Sequence, residues 1–165
     1  MGIELSMWQI TDLQLEQLVS SEDAIENFID SRFAETSYED DDEEGLYLDK
    51  IWHLVHYLVT GYAEGGDYPL GHAILGGYIL HESREDTSFL PPDIVKDVAE
   101  GLSTLSEAEM RKLCDPDVTP KPEIYKYPFP IDEEDFEDAL SFFRQVREFY
   151  RVAAEKGNAM FRFFH

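Results

Sequence analysis

The carboxy-terminal stretch from Asp132 to Phe164 constrains this chain more than any other. Phe136, Leu140, Phe143, Val146, Tyr150 and Ala153 recur at helical spacing, with Phe142, Phe149 and Val152 widening the same apolar stripe. Six acids crowd Asp132 to Asp138, whereas Arg144, Arg147, Arg151 and Lys156 fall in the second half, the polarity a helix dipole favours. Gly157 is the expected stop. Ala159 to Phe164 then reads as a strand, with Phe161 and Phe163 on one side and Arg162 on the other. The chain is thus expected to close on a long amphipathic helix followed by a strand.

The amino-terminal end reads as a first strand followed by two helices. Ile3 to Ile10 alternates loosely, with Ile3, Leu5 and Met7 on one side, and reads as a strand. Thr11 with Gln14 makes a capping box for a short helix carrying Leu15 and Leu18. Ser20 or Ser21 caps a second helix, in which Ala24, Ile25, Phe28, Ile29 and Phe33 set the rhythm to about Glu35. Glu35 to Gly45 holds seven acids in eleven residues and is expected to stay open through repulsion. It lacks the oxygen spacing, central glycine and terminal glutamate of a calcium loop.

The middle of the chain, Asp49 to His81, gathers four of the five histidines and six of the ten glycines. Asp49 is placed to cap a helix in which Ile51, Leu54, Val55, Leu58 and Val59 are apolar, and Gly61 ends it. On that helix Asp49, His53, His56 and Thr60 share a polar line beside Trp52, which makes Asp49, Trp52, His53, His56 and Thr60 the candidate functional face. His53 and His56 could reach one metal, with His72 or His81 and a carboxylate from Asp49 or Asp67 completing the set. No HExxH or paired-cysteine pattern accompanies them, and the plainer reading has His56 hydrogen-bonded under the glycine loop and His53 half exposed.

Farther on, Asp67 and Pro69 are expected to start a shorter helix that Gly76 and Gly77 end, followed by an extended Tyr78 to Leu80 and a polar turn from His81 to Ser88. Ile94, Val95, Val98, Leu102 and Leu105 mark a further helix. Ser106 with Glu109 caps another, which holds Met110, Leu113 and Cys114. Five prolines between Asp115 and Pro130 exclude a regular helix there, although Glu123 to Tyr127 could be extended.

Charge narrows the functional classes. The 165 residues carry a formal −23, and residues 1 to 49 alone hold fifteen acids against Arg32. Such a surface opposes nucleic acids and anionic membranes and favours solubility or a basic protein partner. At 43% hydrophobic residues a core is nonetheless available, so one domain spanning residues 1–165 is expected. The single cysteine and the absence of a long apolar run point to a reducing cytoplasm. Met1, Gly2 and Ser6 fit a loose myristoylation pattern but equally begin the first strand.

No motif specifies a reaction or a cofactor. The glycines match neither GxGxxG nor a P-loop, no GxSxG elbow exists, and Cys114 sits among apolar neighbours. In so acidic a chain no carboxylate pair stands out for glycoside chemistry. The expected role is therefore an acidic protein-binding or inhibitory, immunity-like module, with a metal- or histidine-dependent enzyme centred on Asp49 to His81 as the alternative.

The order of elements, together with Asp49-Lys50-x-Trp52 and His56, Thr60-Gly61, Pro69-Leu70 followed by Ala73-x-Leu75-Gly76, Glu123-Ile124-Tyr125 and Gly157-Asn158-Ala159, resembles the YfbM-like family of bacterial proteins, which is defined by a domain of unknown function. The resemblance implies an α+β fold, a single compact domain in which several helices pack on a small sheet that includes the N- and C-terminal strands. It carries over no catalytic residue. The chain departs from that family's pattern in its Glu39 to Glu44 run and its proline-rich approach to the last helix, differences that bear on any shared partner rather than on the fold.

Overall fold

Residues 2–35 and 44–165 are described by a computed structural model. Its centre is a pair formed by the expected strands at the two chain ends, now seen to lie side by side. β1 (Leu5–Ile10) runs antiparallel to β4 (Ala159–Phe164), from Leu5 opposite Phe164 to Ile10 opposite Ala159. β2 (Gly45–Asp49) and β3 (Thr87–Leu90) flank them, giving a four-stranded antiparallel sheet in the order β2-β1-β4-β3.

Helices cover both faces, which is why every residue of β1 is buried and its alternation is weak in the sequence. On one face Leu5, Met7 and Met160 meet α3 (Trp52–Thr60), α4 (Pro92–Ser103), α5 (Glu107–Leu113) and α6 (Glu133–Lys156). On the other face Trp8, Ile10 and Phe161 pack with Leu18 of α1 (Asp12–Ser20) and with Ile25 and Ile29 of α2 (Glu22–Glu35). The fold is thus α+β, with the N- and C-terminal strands at the middle of the sheet.

The caps of the outer helices follow the sequence. Thr11 and Gln14 form the full capping box, Ser21 Oγ accepts from the Ala24 N–H, and Asp132 caps α6 through the Asp135 N–H. Gly157 closes α6 at φ 69°. Ser106 accepts the Glu109 N–H at the start of α5.

Three expectations are corrected. Asp49 does not cap the histidine helix: it ends β2 at φ 46°, and α3 begins three residues later with Ile51 at its N-cap. The cause is pairing with β1, which draws Gly45 to Asp49 into the sheet and lets Leu46 and Leu48 join the core. The helix expected after Asp67 is one 3-10 turn, Leu70–His72, in which Gly71 lies so near the Gly66 backbone that a Cβ there would meet its carbonyl oxygen at 2.5 Å. Thr87 to Leu90 forms β3 rather than the end of a loop, and Phe89 also bridges to Tyr78. The acidic run and the calcium reading weighed for it fall largely on residues 36–43, outside the described residues.

Candidate functional site

The predicted polar line breaks up into separate roles. Asp49, at the end of β2, holds an exposed carboxylate 3.8 Å from Lys50 Nζ. Trp52, at the start of α3, is buried and donates its indole N–H to the Ile3 carbonyl at 2.9 Å. Its ring stacks with those of His53 (centroids 5.1 Å apart) and Tyr125 (5.8 Å). Thr60 turns back onto its own helix, donating to the His56 carbonyl at 2.9 Å and accepting from the Tyr62 N–H at 3.0 Å.

The histidines do not converge. His53 Nδ1 accepts the Tyr125 N–H at 2.9 Å, so Nε2 carries the hydrogen and donates to the Ala63 carbonyl at 2.7 Å. Both nitrogens are spent on pinning two loops to α3. His56 is 0% exposed, and contrary to the hydrogen bond expected for it under the loop, neither of its ring nitrogens makes one, because the packing around it is apolar. Burial, then the nearby His53, holds it down to about 4; the Gly65 backbone opposes that shift without completing a hydrogen bond. His56 is therefore a neutral ring sealed under the glycine loop. His72 accepts the Gly77 N–H at Nδ1, 2.9 Å away, and burial lowers its pKa as well. Among the described residues no three His, Cys, Asp or Glu side chains are grouped to hold a metal ion. Cys114 is an equally poor nucleophile, since burial pushes its thiol up to about 11.

What organises this region is Arg162, which the sequence marks only as one cation in an apolar strand. On β4 it shares the side of Met160 and Phe164, and it is 0% exposed. Its guanidinium meets no carboxylate among the described residues. Instead Nε donates to Ser88 Oγ at 3.1 Å, Nη1 to the carbonyls of His72 at 2.6 Å and Ile74 at 3.1 Å, and Nη2 to that of Gly76. Tyr150 of α6 donates to the intervening Ala73 carbonyl. A rigid five-donor fork is the one side chain that can satisfy so many converging carbonyls. Gly77, at φ 86°, makes the close approach possible, since a Cβ there would collide with Arg162 Nη2 and the Phe89 carbonyl.

The loop so fixed presents its outer surface to solvent. Tyr68 and Tyr78, 57% and 51% exposed, stand at the two ends of the caged segment. Tyr68 donates a 2.5 Å hydrogen bond to Asp97 Oδ2 on α4, and its ring meets that of His72 edge-on. That hydrogen bond, reinforced by the charges of Asp97 and Asp93, pushes the Tyr68 phenol up to about 12, and Tyr78 acts on it too. Asp93 stands one turn before Asp97 on α4, and the Gly77 N–H bonded to His72 ties the Tyr78 end of the loop to the ring that Tyr68 touches, so two exposed rings and two carboxylates lie on neighbouring segments. The doublets Asp67-Tyr68 and Gly77-Tyr78 are the only sequence trace of this arrangement, and they gain meaning once Arg162 folds them together.

Comparison with known proteins agrees with the architecture. The profile of the family described as "Domain of unknown function (DUF1877)" matches residues 1–162. The crystal structure of YfbM from Escherichia coli, itself described as a protein of unknown function, aligns over 98% of this chain and 99% of that one, with a TM-score of 0.70 and 18% identity. That likeness is one of fold. No curated protein matches the chain.

Proposed function

The chain belongs to the DUF1877 family, a domain of unknown function, and from that starting point we propose that it is an acidic protein-binding module whose partner is a basic protein. The observation that carries this reading is the patch of Tyr68, Tyr78, Asp93 and Asp97, displayed by a loop that Arg162 holds rigid from beneath. Exposed tyrosine rings beside carboxylates suit a lysine or arginine side chain, which gains a cation–π contact and a charge-assisted hydrogen bond together. Tyrosine also supplies contact area at low entropic cost, and a preformed loop has little ordering left to lose on docking. The formal charge of −23 would steer such a partner in and reject acidic ones. Masking the basic surface of an enzyme or toxin, in the immunity-like manner, is the form of inhibition this chemistry allows.

The test uses the intact chain, immobilised without a charged tag, and lysate of the native cell. A basic protein should be retained at low salt and released as salt rises. With that protein purified, Tyr68→Ala and Asp97→Asn should each weaken binding about tenfold, which corresponds to about 1.4 kcal/mol. Retention of no basic protein at any salt, or equal affinity in both variants, would sink the proposal.

A further inference from the structure

On another side of the molecule, a cleft of about 530 Å³ opens between the β2–α3 turn, the Lys126–Tyr127 turn and α6. Ile51, Tyr127 and Phe142 form its apolar part, and Asp49, Lys50, Lys126 and Asp138 its polar part. Its volume falls within the range of small-molecule sites, roughly 300–1,000 Å³. Neither Tyr68 and Tyr78 nor Asp93 and Asp97 line it.

Two observations set the cleft apart. Asp49 at φ 46° and Lys126 at φ 66° are the only non-glycine residues with positive φ among those described, and both line it. Left-handed backbone at a lysine is unfavourable, and such residues gather where a ligand or catalytic group must be presented. The charge there is also balanced, two lysines against two aspartates, in a chain of net −23.

Neither lysine is tightly paired. Lys50 Nζ reaches Glu4 and Asp49 only at 3.7 and 3.8 Å, whereas Arg84, Arg111 and Arg151 hold carboxylates at 2.5–2.9 Å. Lys126 makes no ion pair among the described residues and lies over the Tyr125 ring, 5.6 Å from its centroid. On the acidic side, Asp49 at the end of β2 and Asp138 on α6 line the cleft from different elements, and burial first, then the charges of Asp135, Asp138 and Asp49, raise the Tyr127 phenol.

We infer that this cleft binds a small zwitterion of the amino-acid type, its carboxylate held by Lys50 and Lys126, its ammonium by Asp138 and Asp49, and its side chain against Ile51 and Phe142. A purely anionic ligand would meet the aspartates and a purely cationic one the lysines. Only a molecule carrying both charges satisfies both pairs.

The experiment is a thermal-shift screen of the full chain against the proteinogenic L-amino acids, followed by titration calorimetry of the strongest. At least one should raise the melting temperature of the wild type. Its N-acetylated and amidated forms, each lacking one charge, should bind about tenfold or more weakly. Lys126→Gly and Asp138→Asn should lose affinity to the same degree. Lys126→Gly should melt no lower than the wild type, because glycine accepts that φ without strain.

Stabilisation by none of the amino acids would overturn the inference, as would capped forms that bind like the free ones, or wild-type affinity in either variant. A Lys126→Gly protein that melts well below the wild type would overturn it too, since the lysine would then be holding the turn. No basic protein enters these measurements, so their failure leaves the docking proposal untouched.

Discussion

The Tyr125 backbone N–H donates to His53 Nδ1 at 2.9 Å across 72 positions of sequence, and this one imidazole joins the proline-rich segment to α3. Its other nitrogen holds Ala63, and its face stacks on Trp52. His53→Ala leaves a donor and an acceptor unpaired and removes a ring contact. A loss of about 2–3 kcal/mol is expected, read as a lower denaturant midpoint with an unchanged slope.

His56 makes stability depend on pH. Its folded pKa of about 4 lies below the usual 6.5, so between those values the unfolded chain binds the extra proton. Stability is complete above about pH 6.5, falls as pH drops, and by about pH 5 has lost about 2 kcal/mol of a total near 3 kcal/mol. The lowered pKa of His72 acts in the same direction. His56→Leu should abolish its own share. The check is the wild-type-minus-variant stability difference, which should shrink between about pH 7 and pH 5; a constant difference would refute the assignment.

Replacing Arg162 by Met keeps much of the volume but strands the carbonyls of His72, Ile74 and Gly76. About 3–5 kcal/mol should be lost, the range for breaking a buried charged network. Arg162→Lys should recover only part of it, because an ammonium has three donors and no planar fork. Hydrogen exchange at Tyr78, whose N–H bonds to the Phe89 carbonyl, should rise in both variants.

Tyr68 offers a direct reading of the acidic patch. Its phenol ionises at about 12 because Asp97 accepts its hydrogen bond and neighbouring carboxylates disfavour a second negative charge. Asp97→Asn should bring the pKa back toward 10, followed by NMR on ring-labelled tyrosine with Tyr68→Phe to assign the signal. An unchanged titration would separate Tyr68 from Asp97 in solution.

Cys114, with a pKa of about 11, should alkylate about a hundredfold more slowly at neutral pH than an unperturbed thiol. Denaturant should restore the ordinary rate. A fast reaction in the folded protein would contradict the burial described.

The elements legible in the sequence are those whose pattern is long and local. α6, with its caps and charge gradient, and α4, with its four-residue rhythm, are fixed by helical periodicity. β1 and β4 are short, but turn chemistry at Thr11 and Gly157 brackets them. β2 and β3 escaped because four or five residues of mixed polarity become strands only when β1 and β4 offer them hydrogen bonds. Asp49 was misplaced for the same reason: it is a good N-cap residue, but the strand it completes takes precedence over the cap it could make.

The sequence by itself therefore determined the long helices, the caps at Thr11, Ser106, Asp132 and Gly157, the terminal strands and the acidic character, all of which depend on neighbours within a few positions, while the resemblance over the whole chain implied the fold class. Tertiary structure decided the rest. It sealed His56, spent both nitrogens of His53, and closed carbonyls of residues 72 to 76 around Arg162, up to 90 positions away. No local spacing encodes that cage, because its acceptors are backbone groups that every residue carries, and only the packed loop turns them inward together.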